Sequence, residues 1–282
     1  MKKIVGIVFI LIGIYILSHI MLNGWSGWSG WNGWHGRSEA ADSQSAEVAG
    51  VHTISVNAAA GNVEIIPVDK QELSAELHGD GTLKVERSGN EIEVTVERDG
   101  WWWLPFEKDN ELQVYVPEDY NRNMDIDFHF GHFAFDGKGM DLNEFQIKMS
   151  AGDATVKNLH VGRFEEESSA GRITIANVQA DEASFDVNAG EVELSDYEGG
   201  FEVDLAAGRF EADVNRLTGD VDIDLSAGEV ELDLPDKADF RLKTDVNAGD
   251  FINDFGGRSG GTYGEGAHTV TIDISAGRAH LK

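Results

Sequence analysis

Carboxylates are the chemically capable groups that this chain holds in quantity. Fifty-one Asp and Glu stand against 22 Lys and Arg, giving a net charge of −29, and there is no Cys. Six of the acids recur at one fixed place, four residues before a glycine: Glu167, Asp186, Asp204, Asp224, Asp245 and Asp273, with Lys148 heading the series. Carboxylates in a file repel one another unless water or cations screen them, and hard divalent cations prefer oxygen ligands. The file therefore reads either as a solvated outer face or as a weak binding site for Ca2+ or Mg2+. No twelve-residue calcium loop of the helix-loop-helix kind occurs. His129 and His132 could share a metal only if the backbone bends at Gly131, because in a straight strand they fall on opposite faces.

Other chemistry is missing. The chain has no GxSxG, no HExxH, no phosphate-cradling glycine loop followed by Lys and Ser or Thr, and no Cys nucleophile. An enzyme acting on an acidic glycan needs bases to hold it, yet Arg172, Arg209 and Arg278 alternate with acids in a repeating column. No catalytic residue and no cofactor is expected, and a glycan-active lyase or hydrolase on a β-helix is the enzymatic alternative. The strong negative charge argues against nucleic acid as a partner. The absence of Cys excludes a disulfide framework and thiol chemistry.

The elements that must position these groups are short strands in a repeat. A small residue, Ala and Gly return at Ser150-Ala151-Gly152, Ser169-Ala170-Gly171, Asn188-Ala189-Gly190, Ala206-Ala207-Gly208, Ser226-Ala227-Gly228, Asn247-Ala248-Gly249 and Ser275-Ala276-Gly277. The glycines lie 19, 19, 18, 20, 21 and 28 residues apart. Units of this size cannot close a core alone and must lean on their neighbours. Phe185, Val187 and Ala189 share one face, whereas Val192 and Leu194 follow the glycine, so the inward parity shifts by one. Such a shift marks a corner, with Gly allowing the bend and Ala small enough to sit inside it. The residues after the glycines run Asp153, Arg172, Glu191, Arg209, Glu229, Asp250, Arg278. Opposite charges adjoin at most steps, which suits parallel stacking in register. The expected fold is all-β, a single-stranded β-solenoid (parallel β-helix-like) with coils of about 18–21 residues. Gly152, Gly171, Gly190, Gly208, Gly228, Gly249 and Gly277 are its corners.

Residues 49–140 read as an N-terminal cap with irregular coils, and 141–282 as the regular array. Within the cap, 99–106 place Trp101, Trp102, Trp103 and Phe106 in a turn context, either as a plug over the solenoid end or as an exposed foot. Residues 253–266 are an insertion that accounts for the spacing of 28.

The amino terminus differs in kind. Met1-Lys2-Lys3 precedes the apolar stretch 4–22, long enough to span a bilayer and followed by no A-x-A-like cleavage site. The reading is one transmembrane helix with a cytoplasmic N-terminus and an extracytoplasmic C-terminal domain; a cleaved signal peptide is the alternative. Residues 23–48 form a collar and polar linker, in which Trp25, Trp28, Trp31 and Trp34 suit the membrane–water interface.

The anchor, the strand ending in Pro117, the [Ser/Asn]-Ala-Gly coils and the closing Thr269-Val270-Thr271-Ile272-Asp273-Ile274-Ser275-Ala276-Gly277 together resemble the bacterial candidate-adhesin family of β-solenoid domains. The LiaG-like branch of that family is membrane-anchored and encoded beside a cell-envelope stress-sensing system. The resemblance covers about residues 50–282 plus the anchor and supplies no catalytic residues. It implies a non-enzymatic interaction or scaffold module at the envelope, with an envelope protein or cell-wall glycan as partner. Surface adhesion is the alternative.

Overall fold

The computed structural model describes residues 42–79, 81–97, 110–256 and 260–282. The expected span 4–22, the collar tryptophans Trp25, Trp28, Trp31 and Trp34, and Trp101, Trp102 and Trp103 lie outside the described residues. Among the described residues there is no helix, and none therefore is long and apolar enough to cross a membrane.

Alternating sequences bury one face, and here they do so against the next turn of the same chain. β2 (Thr53–Val68) pairs in parallel with β7 (Asn123–Glu198), a strand of 76 residues that runs through several corners. Successive passes of β7 lie against each other, because Gly131, Gly152, Gly171 and Gly190 stack backbone on backbone. β8 (Phe201–Arg216) and β9 (Val221–Asp233) extend the parallel ladder with Gly190, Gly208 and Gly228 in one row. Inward residues fuse into one core, threaded by rings from Phe135 through Phe145 and Phe164 to Phe185 at centroid distances of 5.4, 5.5 and 5.8 Å. Each such contact adds a directional term to burial.

The next rung is not the next in sequence. β12 (His268–Leu281) inserts between β9 and β10 (Phe240–Asn253), parallel to both. The expected insertion therefore does more than lengthen a coil. It returns as β11 (Gly260–Tyr263), antiparallel to β10, and Phe255 and Tyr263 pack on Phe240. Two aspartates direct the crossover: the Asp239 carboxylate accepts the Ala267 amide at 3.0 Å, and Asp220 accepts the Thr269 amide at 2.7 Å.

The other end departs from parallel stacking. β5 (Glu91–Glu97) and β6 (Glu111–Pro117) share the free edge of β2 on either side of Gly61. β3 (Glu72–His78) and β4 (Thr82–Ser88) then add antiparallel to β6 and β5. The polar stretch expected as the end of a linker forms β1 (Asp42–Glu47), antiparallel to β3. Side chains hold it where apolar burial cannot. The Gln44 amide donates to Leu83 O at 2.5 Å, and its carbonyl accepts the Val85 amide at 2.9 Å.

Candidate functional site

The corner residues form the most regular feature of the molecule. In spatial order Gly61, Gly131, Gly152, Gly171, Gly190, Gly208, Gly228, Gly277 and Gly249 make one column. A Cβ on almost any of them would sit well inside van der Waals contact with a neighbouring glycine's carbonyl. Gly208 illustrates both constraints, since its φ is 137° and its Cβ would meet Gly190 O. At Gly190 and Gly249 only the close approach applies. The alanines before these glycines do not sit inside the corner as expected: Ala189, Ala207, Ala227, Ala248 and Ala276 are exposed. The chain turns outward there, leaving two consecutive outward residues before the glycine.

Beside this column stand the charged ones. In register the acidic file runs Asp186, Asp204, Asp224, Asp273, Asp245, so the structure exchanges the last two acids relative to chain order. Glu167 is exposed and lies four residues before Gly171, which stacks on Gly190. Asp204, Asp224, Asp273 and Asp245 line a shallow depression of about 370 Å³ with Ser226, Asn247 and Ser275. Partial burial, then the charges of Asp204, Asp222 and Asp273, hold the Asp224 carboxyl above the usual range. The arrangement concentrates negative potential along one face. Among the described residues no three of His, Asp and Glu converge in a group that could hold a metal ion. His129 and His132 do not meet on a shared ligand either: His129 lies 3.8 Å from Asp127 and His132 lies 3.3 Å from Asp153.

After the uncharged Asn62 and the imidazole of His132, the residues that follow the glycines alternate in charge without a break once spatial order replaces chain order: Asp153, Arg172, Glu191, Arg209, Glu229, Arg278, Asp250. Arg172 bonds Glu191 at 2.9 Å, and Arg209 reaches Glu211 at 2.9 Å, Glu231 at 3.1 Å and Glu229 at 3.8 Å.

Two features escaped the sequence reading. A second corner column carries left-handed residues, Lys138, Asn158, Asn177 and Asp196, with φ between 50° and 54°. Their side chains form a ladder: Asn177 donates to Asn158 at 2.7 Å, and Asn158 donates to Asp136 at 2.8 Å. Asn and Asp at 19-residue spacing were the available signal. The other is Glu166, which is 1 % exposed and has no hydrogen-bond partner on either carboxyl oxygen. Burial pushes it up to about 8; the nearby Ser168 hydroxyl opposes the shift, while Asp186 and Glu167 add to it. Its signal was parity, since it falls two residues after Phe164 at an inward position.

A second depression, of about 410 Å³, opens where Ala183 takes the inward place that Phe164 and Phe201 fill in the adjoining coils.

The sequence profile that matches residues 51–282 is that of the Toastrack DUF4097 family. The chain belongs to this family. No curated protein matches it. Among solved structures, the Toastrack chain is similar to a candidate lipid-binding protein from Parabacteroides distasonis ATCC 8503, with 15 % identity and a TM-score of 0.50, covering 86 % of this chain and 98 % of that one. It is also similar to a candidate adhesin from Bacteroides fragilis NCTC 9343, at 11 % identity and a TM-score of 0.45, over 87 % and 98 % of the two chains. A candidate adhesin from Parabacteroides distasonis matches at 12 % identity and 0.43, over 86 % and 97 %. The likeness at a TM-score of 0.50 concerns the fold alone.

Proposed function

We propose that the protein is a non-enzymatic, membrane-anchored β-solenoid that serves as an interaction module on the outer side of the bacterial cell membrane, accessory to the envelope-stress response in the LiaG-like manner. The observation that carries this reading is the outer surface itself, where backbone corners, an acidic file and an alternating charge column repeat from rung to rung. A repeated surface presents many equivalent contacts to a partner, as stacked-repeat proteins do. Residues 4–22 supply the anchor, Trp25, Trp28, Trp31 and Trp34 the interfacial collar, and Trp101, Trp102 and Trp103 a further contact with membrane or partner. The acidic file binds Ca2+ or Mg2+ weakly at most and otherwise remains solvated.

The test combines membrane fractionation of an N-terminally tagged protein with a stress-reporter assay in a deletion strain challenged by wall-acting antibiotics. Retention of the tag in the membrane and an altered reporter response are expected. A tag-free protein in the medium, or an unchanged response, overturns the reading. Loss of attachment to matrix-coated surfaces without any change in the reporter would make it an adhesin.

A further inference from the structure

The two ends of the stack differ. Antiparallel β1, β3 and β4 finish the first. At the other, β10 bonds β12 along one edge, and β11 occupies the opposite edge only over Phe240–Lys243. Among the described residues no strand pairs with the outer edge of Asn247–Asn253. Asn247, Ala248, Gly249, Asp250 and Ile252 are exposed there, Ile252 by 42 %, and Phe251 is half-buried. An open edge is a template for another strand.

Three features limit which strand fits. The corner at Gly249 continues a column in which each neighbour approaches too closely for a Cβ, so the incoming residue must be glycine. The alternating column ends on Asp250, whose inner neighbour is Arg278, so the residue after that glycine must be a base. The acidic file ends beside it on Asp245, which strengthens the demand for positive charge. Building on the reading as an interaction module, we propose that this edge receives an extended strand of a partner protein, added parallel and in register as one more rung. The strand carries Gly opposite Gly249 and Lys or Arg opposite Asp250. A second copy fits less well. Its own edge brings Asp245 and Asp250 against like charges, and its opposite end offers antiparallel strands rather than a parallel rung.

The probe is a synthetic peptide with the sequence of residues 272–281 carrying Asp273→Lys, which faces only the stretch beyond β11, sets a base against Asp245, and keeps the Gly277 and Arg278 that already face Gly249 and Asp250 on the inner edge of β10. Binding to the full-length protein in detergent micelles is followed by fluorescence anisotropy and amide hydrogen exchange. Saturable binding is expected, with new protection at 247–253 and undiminished protection in β12. Peptides carrying Gly277→Val or Arg278→Asp should bind about tenfold more weakly, a difference of about 1.4 kcal/mol, because each sets a steric or like-charge mismatch at one cross-strand pair. Equal binding of a scrambled peptide, no saturable binding, or protection lost from β12 overturns the proposal. So does a concentration-dependent dimer that closes the same edge. None of these outcomes depends on membrane retention, so failure here is separable from failure of the functional reading.

Discussion

A single buried acid can set the pH response of this molecule. Glu166 keeps its proton in the folded chain up to about 8, whereas an exposed glutamate releases it near 4.5. Between those values the native state holds more protons than the unfolded one, so stability falls as pH rises and levels off above about 8. Phe185 occupies the same inward place in the next coil, so an apolar side chain suits the column. Glu166→Leu should therefore raise the melting temperature, by more at pH 8 than at pH 5, with a difference on the order of 4 kcal/mol across the window. Parallel melting curves for the two proteins at all pH values would show that Glu166 does not ionise on unfolding. The glycine column makes a second prediction at this scale. Gly208→Ala forces a Cβ onto Gly190 O and should cost about 2–3 kcal/mol, a cost of overpacking rather than of dihedral preference alone. Gly89→Ala, with φ of 64° and open space around it, should cost only about 1 kcal/mol. Equal losses in denaturant titrations would mean that the stacking contact contributes nothing.

Among the elements, the coil corners were the part most open to reading. The Ala-Gly triplets and the parity shift led directly to in-register parallel rungs, because a two-residue period leaves only one face for the core. Ala60-Gly61 and Phe130-Gly131 extend the column to earlier coils, but the strands inserted between them hid the spacing. The antiparallel strands β1, β3 and β4 were not legible as partners, since local alternation says that a strand exists and not what it pairs with. The Asn ladder was less legible, because Asn and Asp favour turns of many kinds and only left-handed backbone at Asn158 and Asn177 makes them a column. Asn177→Ala should lose a ladder bond and a side chain suited to left-handed backbone, about 1–2 kcal/mol in thermal or chemical unfolding. The acidic file predicts a salt response. Asp204, Asp224 and Asp273 adjoin in register, and the Debye length falls from roughly 10 Å at 0.1 M to about 3 Å at 1 M. Melting should move upward with added NaCl, and Asp204→Asn with Asp224→Asn should flatten that rise. A melting point indifferent to both would mean that the file carries no net repulsion.

For the molecule as a whole, the placement of β12 between β9 and β10 was the least expected feature, though charge held a clue. In chain order Glu229 would adjoin Asp250, like against like; with Arg278 between them every step alternates. The order of rungs is therefore chosen partly by electrostatics that no local window contains.

That placement has a consequence for how the protein is made. A ribosome delivers β10 before the strand that belongs between it and β9. For the time it takes to synthesise the intervening residues, β10 can only wait or rest against β9 in the wrong place. The repulsion between Glu229 and Asp250 makes that premature pairing poor, and so holds the slot for Arg278. Asp250→Arg removes the safeguard, letting β10 settle early on Glu229. Such a variant should refold with an added slow phase, in which β10 detaches before β12 can enter, and should leave more of the newly made chain open to protease. Refolding as fast as wild type after a denaturant jump would mean that the slot needs no holding.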